Sequence, residues 1–245
     1  MQVDALAVNL RPRSMMEASD LGTRLVQSNA KALWATFTPV FLAILAIAMS
    51  TVEIANWLPV AIIFWLKPWL DRSLLFVLSR AVFGNDTRFV DLWNEQRSVW
   101  WSGLLPTLTL RRLSPWRSFT QAAHQLEGQR GAVLSKRRRA LLRGKRRVAF
   151  LMQMAFHHLE WIFLVSIYAL GWLFSPSGHG NHVFSMLAGS DMAATLAITL
   201  AYAAAVLAIE PFYVAAGFAM YLNRRVELEA WDIEQEFRLA FAGQL

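Results

Sequence analysis

Apolar positions in this chain gather into four long stretches, with charged or amphipathic segments before, between and after them. Lys31–Ser50 carries one charge, at its first residue, and its apolar run from Leu33 to Met49 meets the roughly 17–25 residues that one membrane crossing needs. Ile54–Leu66 is short on its own. Pro68, Trp69 and Leu70 extend it to Asp71, with Lys67 placed to snorkel, so it spans only marginally. The three-residue connection Thr51–Glu53 makes these two a tight helical hairpin. The third stretch, Val148–Phe174, holds His157, His158 and Glu160 but no Lys or Arg. The fourth, Met192–Met220, would measure about 43 Å as a helix, longer than the roughly 30 Å hydrocarbon core. Pro211 in its second half predicts a bend, after which Phe212–Tyr221 would lie along the interface.

Amphipathic spacing fills the rest. Ser14 and Glu17 have the separation of a capping box and start a surface helix that runs to about residue 30. Leu74–Leu78 between Arg72 and Arg80 is too short to span and too apolar for water, which predicts a helix at or dipping into the interface. Phe89, Leu92, Trp93, Gln96, Val99 and Trp100 recur every three or four residues. They read as an interfacial helix with Trp at headgroup depth, or as the packed core of a small cytoplasmic subdomain. Val226, Ala230, Ile233, Phe237 and Phe241 line one side of a final helix whose other side is acidic, with five Asp or Glu against three Arg from residue 223 on. Docking on the protein's own basic segment, or on a partner, suits such a helix better than anionic lipid does.

Composition strengthens the membrane reading: 56% of residues are hydrophobic and 17% charged, against about 45–50% and about 25% for soluble domains. The absence of Cys excludes disulfides, thiolate metal sites and cysteine nucleophiles. Acidic residues before the first apolar stretch argue against a cleaved signal peptide, so the start of the chain is expected to be retained. None of the 24 Lys and Arg falls in the connections 51–53 or 175–191, whereas Lys67–Arg147 holds 17 against five acids, a net of +12. The positive-inside rule then puts that segment and both termini in the cytoplasm, with four spans.

Candidate chemistry is sparse. Gln153, His157 and Glu160 stand at i, i+4 and i+7, on one face near the middle of the third stretch, where uncompensated charge is costly. That face reads either as a proton relay or polar substrate path, or as a structural hydrogen-bond cluster. Glu210, near the inner interface, is expected to meet Lys67 or Arg72 as an anchor. Lys136, Arg137, Arg138, Arg139, Arg143, Lys145, Arg146 and Arg147 crowd the approach to the third stretch. They suit anionic lipid at the cytoplasmic face or a protein partner, or serve as a topology signal alone. A nucleic-acid role is set aside because no recognition motif accompanies the charge. His157 and His158 project to different sides, which disfavours haem, and His179 and His182 bind metal only if other ligands converge. No metal, cofactor or catalytic residue is assigned, and no nucleotide loop or nucleophile elbow is present.

The segment Glu210-Pro211-Phe212-Tyr213, followed by Tyr221-Leu222-Asn223-Arg224-Arg225 and Leu228-Glu229-Ala230-Trp231-Asp232-Ile233-Glu234, resembles the end of an uncharacterised proteobacterial family of multi-pass inner-membrane proteins. It is more loosely similar to the membrane domain associated with glycerophosphodiester phosphodiesterases. The resemblance implies a membrane location and carries no activity. The expected molecule is all-α. It has a cytoplasmic amphipathic segment (1–30), a transmembrane hairpin (31–70), a basic cytoplasmic or interfacial segment (71–147), a second pair of spans (148–222) and an acidic amphipathic helix (223–245). Its expected role is a non-enzymatic component or scaffold of a membrane assembly. The alternatives are a small transporter or channel subunit using the Gln153 face, and a lipid-active membrane enzyme.

Overall fold

The structure is a computed structural model that describes residues 13–109, 112–174 and 192–229. All regular elements among these residues are helical: α1 Met15–Ser28, α2 Ala30–Met49, α3 Leu58–Ala81, α4 Phe89–Asn94, a π-helical turn Arg97–Trp101, α5 Leu104–Leu108, α6 Arg117–Gln125, α7 Gly131–Leu142, α8 Arg146–Leu173 and α9 Met192–Glu229. Three of them, α2, α8 and α9, are long and apolar enough to cross a membrane. The expected fourth, α3, is long enough, but Lys67, Asp71, Arg72 and Arg80 interrupt its apolar run.

Helix α3 also corrects the reading of Leu74–Leu78. These residues form no separate interfacial helix. They continue the helix that starts at Leu58, and everything from Leu74 to Leu78 is buried in protein. A helix segment that is apolar all round finds its surroundings in other helices, and here α2, α6, α9 and the π-helical turn supply them. The Trp100 indole donates to Ser73 Oγ at 2.8 Å. Thr36 Oγ1, in the second turn of α2, donates to the Thr87 carbonyl beyond the end of α3 at 3.4 Å, so α3 runs back along the length of α2. The stretch from Phe89 is broken into α4, the π-helical turn and α5. Leu92, Val99 and Trp100 face inward, while Trp93, Trp101 and Leu105 are exposed.

The long helix α9 is the axis of the molecule, packing against α1, α3, α6 and α8. Its 38 residues reach about 57 Å. The helix does not end or leave the bundle at Pro211: it passes through that residue, and Tyr213–Phe218 beyond it are buried against neighbouring helices rather than laid along an interface. Packing on several sides holds a helix through one missing donor.

Helix α1 begins as its sequence predicts, with Ser14 Oγ accepting from the Glu17 amide at 3.2 Å. Met15, Ala18, Gly22 and Val26 form its buried stripe against α9. Asn223 clamps its start, accepting from the Arg13 amide and donating to the Arg13 carbonyl, both at 2.9 Å. At the crossing a Cβ on Gly22 would lie 2.5 Å from the Ala215 carbonyl, a contact with backbone that cannot turn aside. Gly22→Leu is therefore expected to lower stability by roughly 3 kcal/mol or more, beyond the usual 1–3 kcal/mol of overpacking. A thermal melt in mild detergent that leaves the midpoint unmoved would show that α1 does not seat there.

The acidic end of α9 folds onto the basic segment: Glu227 pairs with Lys145 at 2.9 Å and Glu229 with Arg137. The remaining positions of that final helix, 230–245, lie outside the described residues.

Candidate functional site

Lys67 stands where the apolar half of α3 ends, with its ammonium placed between two carboxylates. Nζ reaches both oxygens of Glu160 on α8, at 2.9 and 2.8 Å, and Oε2 of Glu210 on α9 at 2.8 Å. The other oxygen of Glu210 accepts from Arg117 Nη2 at 3.2 Å. Arg117, from the first turn of α6, also lies 3.0 Å from Asp71 through Nε. The charges thus alternate through the protein, from Glu160 to Lys67, Glu210, Arg117 and Asp71, tying four helices together. Asp71 and Glu210 are buried, at 0% and 2% exposed. Each has a cation beside it, as burial of charge requires. For Arg117, burial by itself would pull the guanidinium down, but Asp71, Tyr213 and Glu210 raise it above its ordinary range, and it remains charged.

A second polar chain lies alongside. The Tyr213 hydroxyl on α9 donates to Gln153 Oε1 on α8 and accepts from the Ser118 amide of α6 at 3.3 Å, while Arg117 lies over the Tyr213 ring at 5.4 Å. Gly217 permits this arrangement, because a Cβ there would strike Ser118 at 2.3–2.6 Å.

These groups line a cavity of about 500 Å³ between α3, α8 and α9. Lys67, Arg112, Arg117, Gln153, Glu160, Glu210, Tyr202 and Tyr213 make its polar part, and Val60, Phe64, Trp161, Leu164 and Ile198 make its apolar part. Phe64, Trp161 and His157 are exposed, so the space communicates with the surface between α3 and α8. Arg112 enters from the connection before α6. Its guanidinium lies over the rings of Phe64 at 4.1 Å and Trp65 at 4.6 Å, and it donates to the Trp65 carbonyl at 3.0 Å.

All four candidate polar residues of the spans, Gln153, His157, Glu160 and Glu210, are on this wall. Gln153, His157 and Glu160 have separate hydrogen-bond partners. His157 accepts from the Trp161 indole at 3.2 Å and points along the exposed side, Gln153 serves Tyr213, and Glu160 serves Lys67. His158 turns away and bonds the Met154 carbonyl at 2.7 Å. Glu210 meets Lys67, one of its two expected partners. Arg72 instead donates to the Ser98 carbonyl at 3.3 Å.

The basic cluster divides. Arg137 grips Glu127 as well as Glu229, and the bond from Glu127 is the main reason its guanidinium is raised above its ordinary range. Arg138 donates to Ser114 Oγ at 3.0 Å, with burial lowering its guanidinium. Arg146 lies over the Trp116 ring at 5.8 Å. Lys136, Arg139, Arg143 and Arg147 are exposed. His179 and His182 lie outside the described residues; within those residues no group of three or more His, Asp or Glu could hold a metal.

Arg112, Arg117, Asp71, Tyr202 and Tyr213 escaped the sequence reading. Asp71 had a usable signal, since it stands four residues after Lys67 and so shares its helix face. Arg112 and Arg117 had none among 17 neighbouring cations. No family model, curated protein or solved structure matches the chain, and the geometry alone carries the functional reading.

Proposed function

We propose that this chain is a four-span bacterial inner-membrane protein with both termini cytoplasmic, and that it binds a small amphiphilic molecule in the cavity between α3, α8 and α9, as a small transporter or binding subunit does. The observation that carries this reading is the placement of the Glu160–Lys67–Glu210 bridge on the wall of a cavity of about 500 Å³. That size falls within the range of ligand pockets, about 300–1,000 Å³. A scaffold needs only the bridge, closed over by packing; the open volume beside it is surplus to that role. The fourth span is α3, whose Lys67 and Asp71 meet α6, α8 and α9 and whose Arg72 and Arg80 meet Ser98 and Glu95, so its low apolarity does not bar it from the bilayer.

Two experiments test this. Reporter fusions after Val52 and Gly180 should read periplasmic, and those after Gly128 and Leu245 cytoplasmic; a cytoplasmic signal at Gly180 refutes four spans. Native mass spectrometry from mild detergent should find a bound small amphiphile on the parent protein. The double variant Val60→Trp and Ile198→Trp, which narrows the apolar end, should lose it. Equal occupancy of both proteins would refute the cavity as the binding place.

A second reading, contact with anionic lipid or a protein partner at the cytoplasmic face, is favoured by the exposure of Lys136, Arg139, Arg143 and Arg147. Such cations attract anionic surfaces by about 1 kcal/mol each.

A further inference from the structure

The geometry points to a monoanionic amphiphile as the occupant of the α3–α8–α9 cavity, its head group held by Arg112 and its apolar chain lying toward Leu164 and Ile198; this inference rests on the cavity being a binding site.

The charges on the wall decide the sign. Lys67, Arg112 and Arg117 face Glu160 and Glu210. Both carboxylates are already engaged, Glu160 by Lys67 and Glu210 by Lys67 and Arg117. Arg117 has Asp71 behind it. Arg112 is the one cation of the three that meets no carboxylate within ion-pair distance among the described residues, although it is only 8% exposed. A cationic ligand would have to displace Lys67 from its bridge. An anionic one meets a guanidinium already fixed in place by two rings and a carbonyl. Immobilised this way, its remaining N–H groups lose little freedom on binding, and charge-assisted bonds from Arg are among the strong ones.

The shape decides the rest. The lining residues of α8 run from Gln153 to Tyr168, about 22 Å along the helix. Polar residues gather at the Gln153 end, and Trp161, Leu164 and Tyr168 lie toward the other. A compact hydrophilic solute would leave that apolar half in contact with water; a head group on a chain fills both halves. A fatty acid carboxylate and a lipid phosphodiester share this chemistry.

The test uses the full-length protein in maltoside micelles with four probes: palmitate, lysophosphatidylglycerol, the uncharged monopalmitoylglycerol and glycerol 3-phosphate. Ligand-induced thermal shifts are titrated to saturation. Palmitate, lysophosphatidylglycerol or both should raise the midpoint saturably, and which of them does so tells a free acid from a lipid head group. The uncharged monoglyceride and the chainless phosphate should bind about tenfold more weakly or not at all, as loss of one charge-assisted contact or of the buried chain implies. Arg112→Gln should weaken the anionic probes about tenfold, Arg112→Lys should weaken them less, and Arg97→Gln, at an exposed cation outside both the cavity and the basic cluster, should change nothing. If Arg112→Gln fails to fold, Arg112→Lys and the comparison of the anionic lipids with the monoglyceride still decide. Equal binding of the monoglyceride and the anionic lipids overturns the anionic head group while leaving the cavity standing, provided that the Val60→Trp and Ile198→Trp variant excludes them all. If that narrowed variant binds every probe as the parent does, the cavity reading itself falls.

Discussion

Lys67→Met should lower the stability of the detergent-solubilised protein by about 3–5 kcal/mol, the cost typical of removing one member of a buried ion pair. The side chain is almost wholly enclosed, and its ammonium is the only cation that Glu160 meets among the described residues. Without it, Glu160 must either remain charged inside the protein or take up a proton, and α3 loses its tie to α8. Glu210 fares better because Arg117 remains beside it. This asymmetry makes a sharper forecast. Adding Glu160→Leu to Lys67→Met should recover part of the loss, since apolar packing can replace a buried pair at little net cost, whereas adding Glu210→Leu should not, because Glu160 still lacks its cation and Arg117 is left with Asp71 alone. Thermal melts of the single and double variants form the required cycle. Equal midpoints for Lys67→Met and the parent would show that the bridge does not hold the helices.

The three apolar helices were legible because α2, α8 and α9 carry their signal along the chain, in continuous runs that need no knowledge of neighbours. The polar face of α8 was legible in part, for Gln153 and Glu160 are conspicuous in hydrocarbon. What they touch was not. Their partners come from α3, α6 and α9, and Arg117 in particular is indistinguishable in sequence from the surplus of cations that sets orientation. The apparent interfacial helix at Leu74–Leu78 misled for a related reason: a short apolar run between arginines looks the same whether lipid or protein covers it. Here Arg72 bonds the Ser98 carbonyl inside the protein and Arg80 pairs with Glu95 while lying over Phe76, so both flanking charges have protein partners. The acidic end of α9 shows the opposite case. Charge complementarity left docking on the basic segment or on a partner open, and over the described residues Glu227 meets Lys145 and Glu229 meets Arg137 of the basic segment.

Glu210→Leu should cost far more stability than Pro211→Ala, an order opposite to the one suggested by a chain that bends at the proline. In sequence Pro211 looked like the pivot delivering the tail, and Glu210 like a replaceable anchor at the interface. In the structure α9 continues through Pro211, so an alanine there fits the same backbone and restores a donor in the helical ladder. Relief of an interior proline is favourable by up to about 3 kcal/mol, partly offset by the packing lost around a buried ring. Glu210 has no such alternative. Its two oxygens hold cations from two different helices, Lys67 at 2.8 Å and Arg117 at 3.2 Å, and leucine would leave each with one carboxylate fewer in an interior where the loss is not made good by water. A decrease of about 3–5 kcal/mol is expected, with Glu210→Gln intermediate because its amide oxygen can still accept one bond. Melting midpoints of the three variants in one detergent, together with limited proteolysis beyond Glu229, measure both effects. A Pro211→Ala protein that melts below Glu210→Leu and loses protection of its C-terminal end would restore the bend as the governing feature.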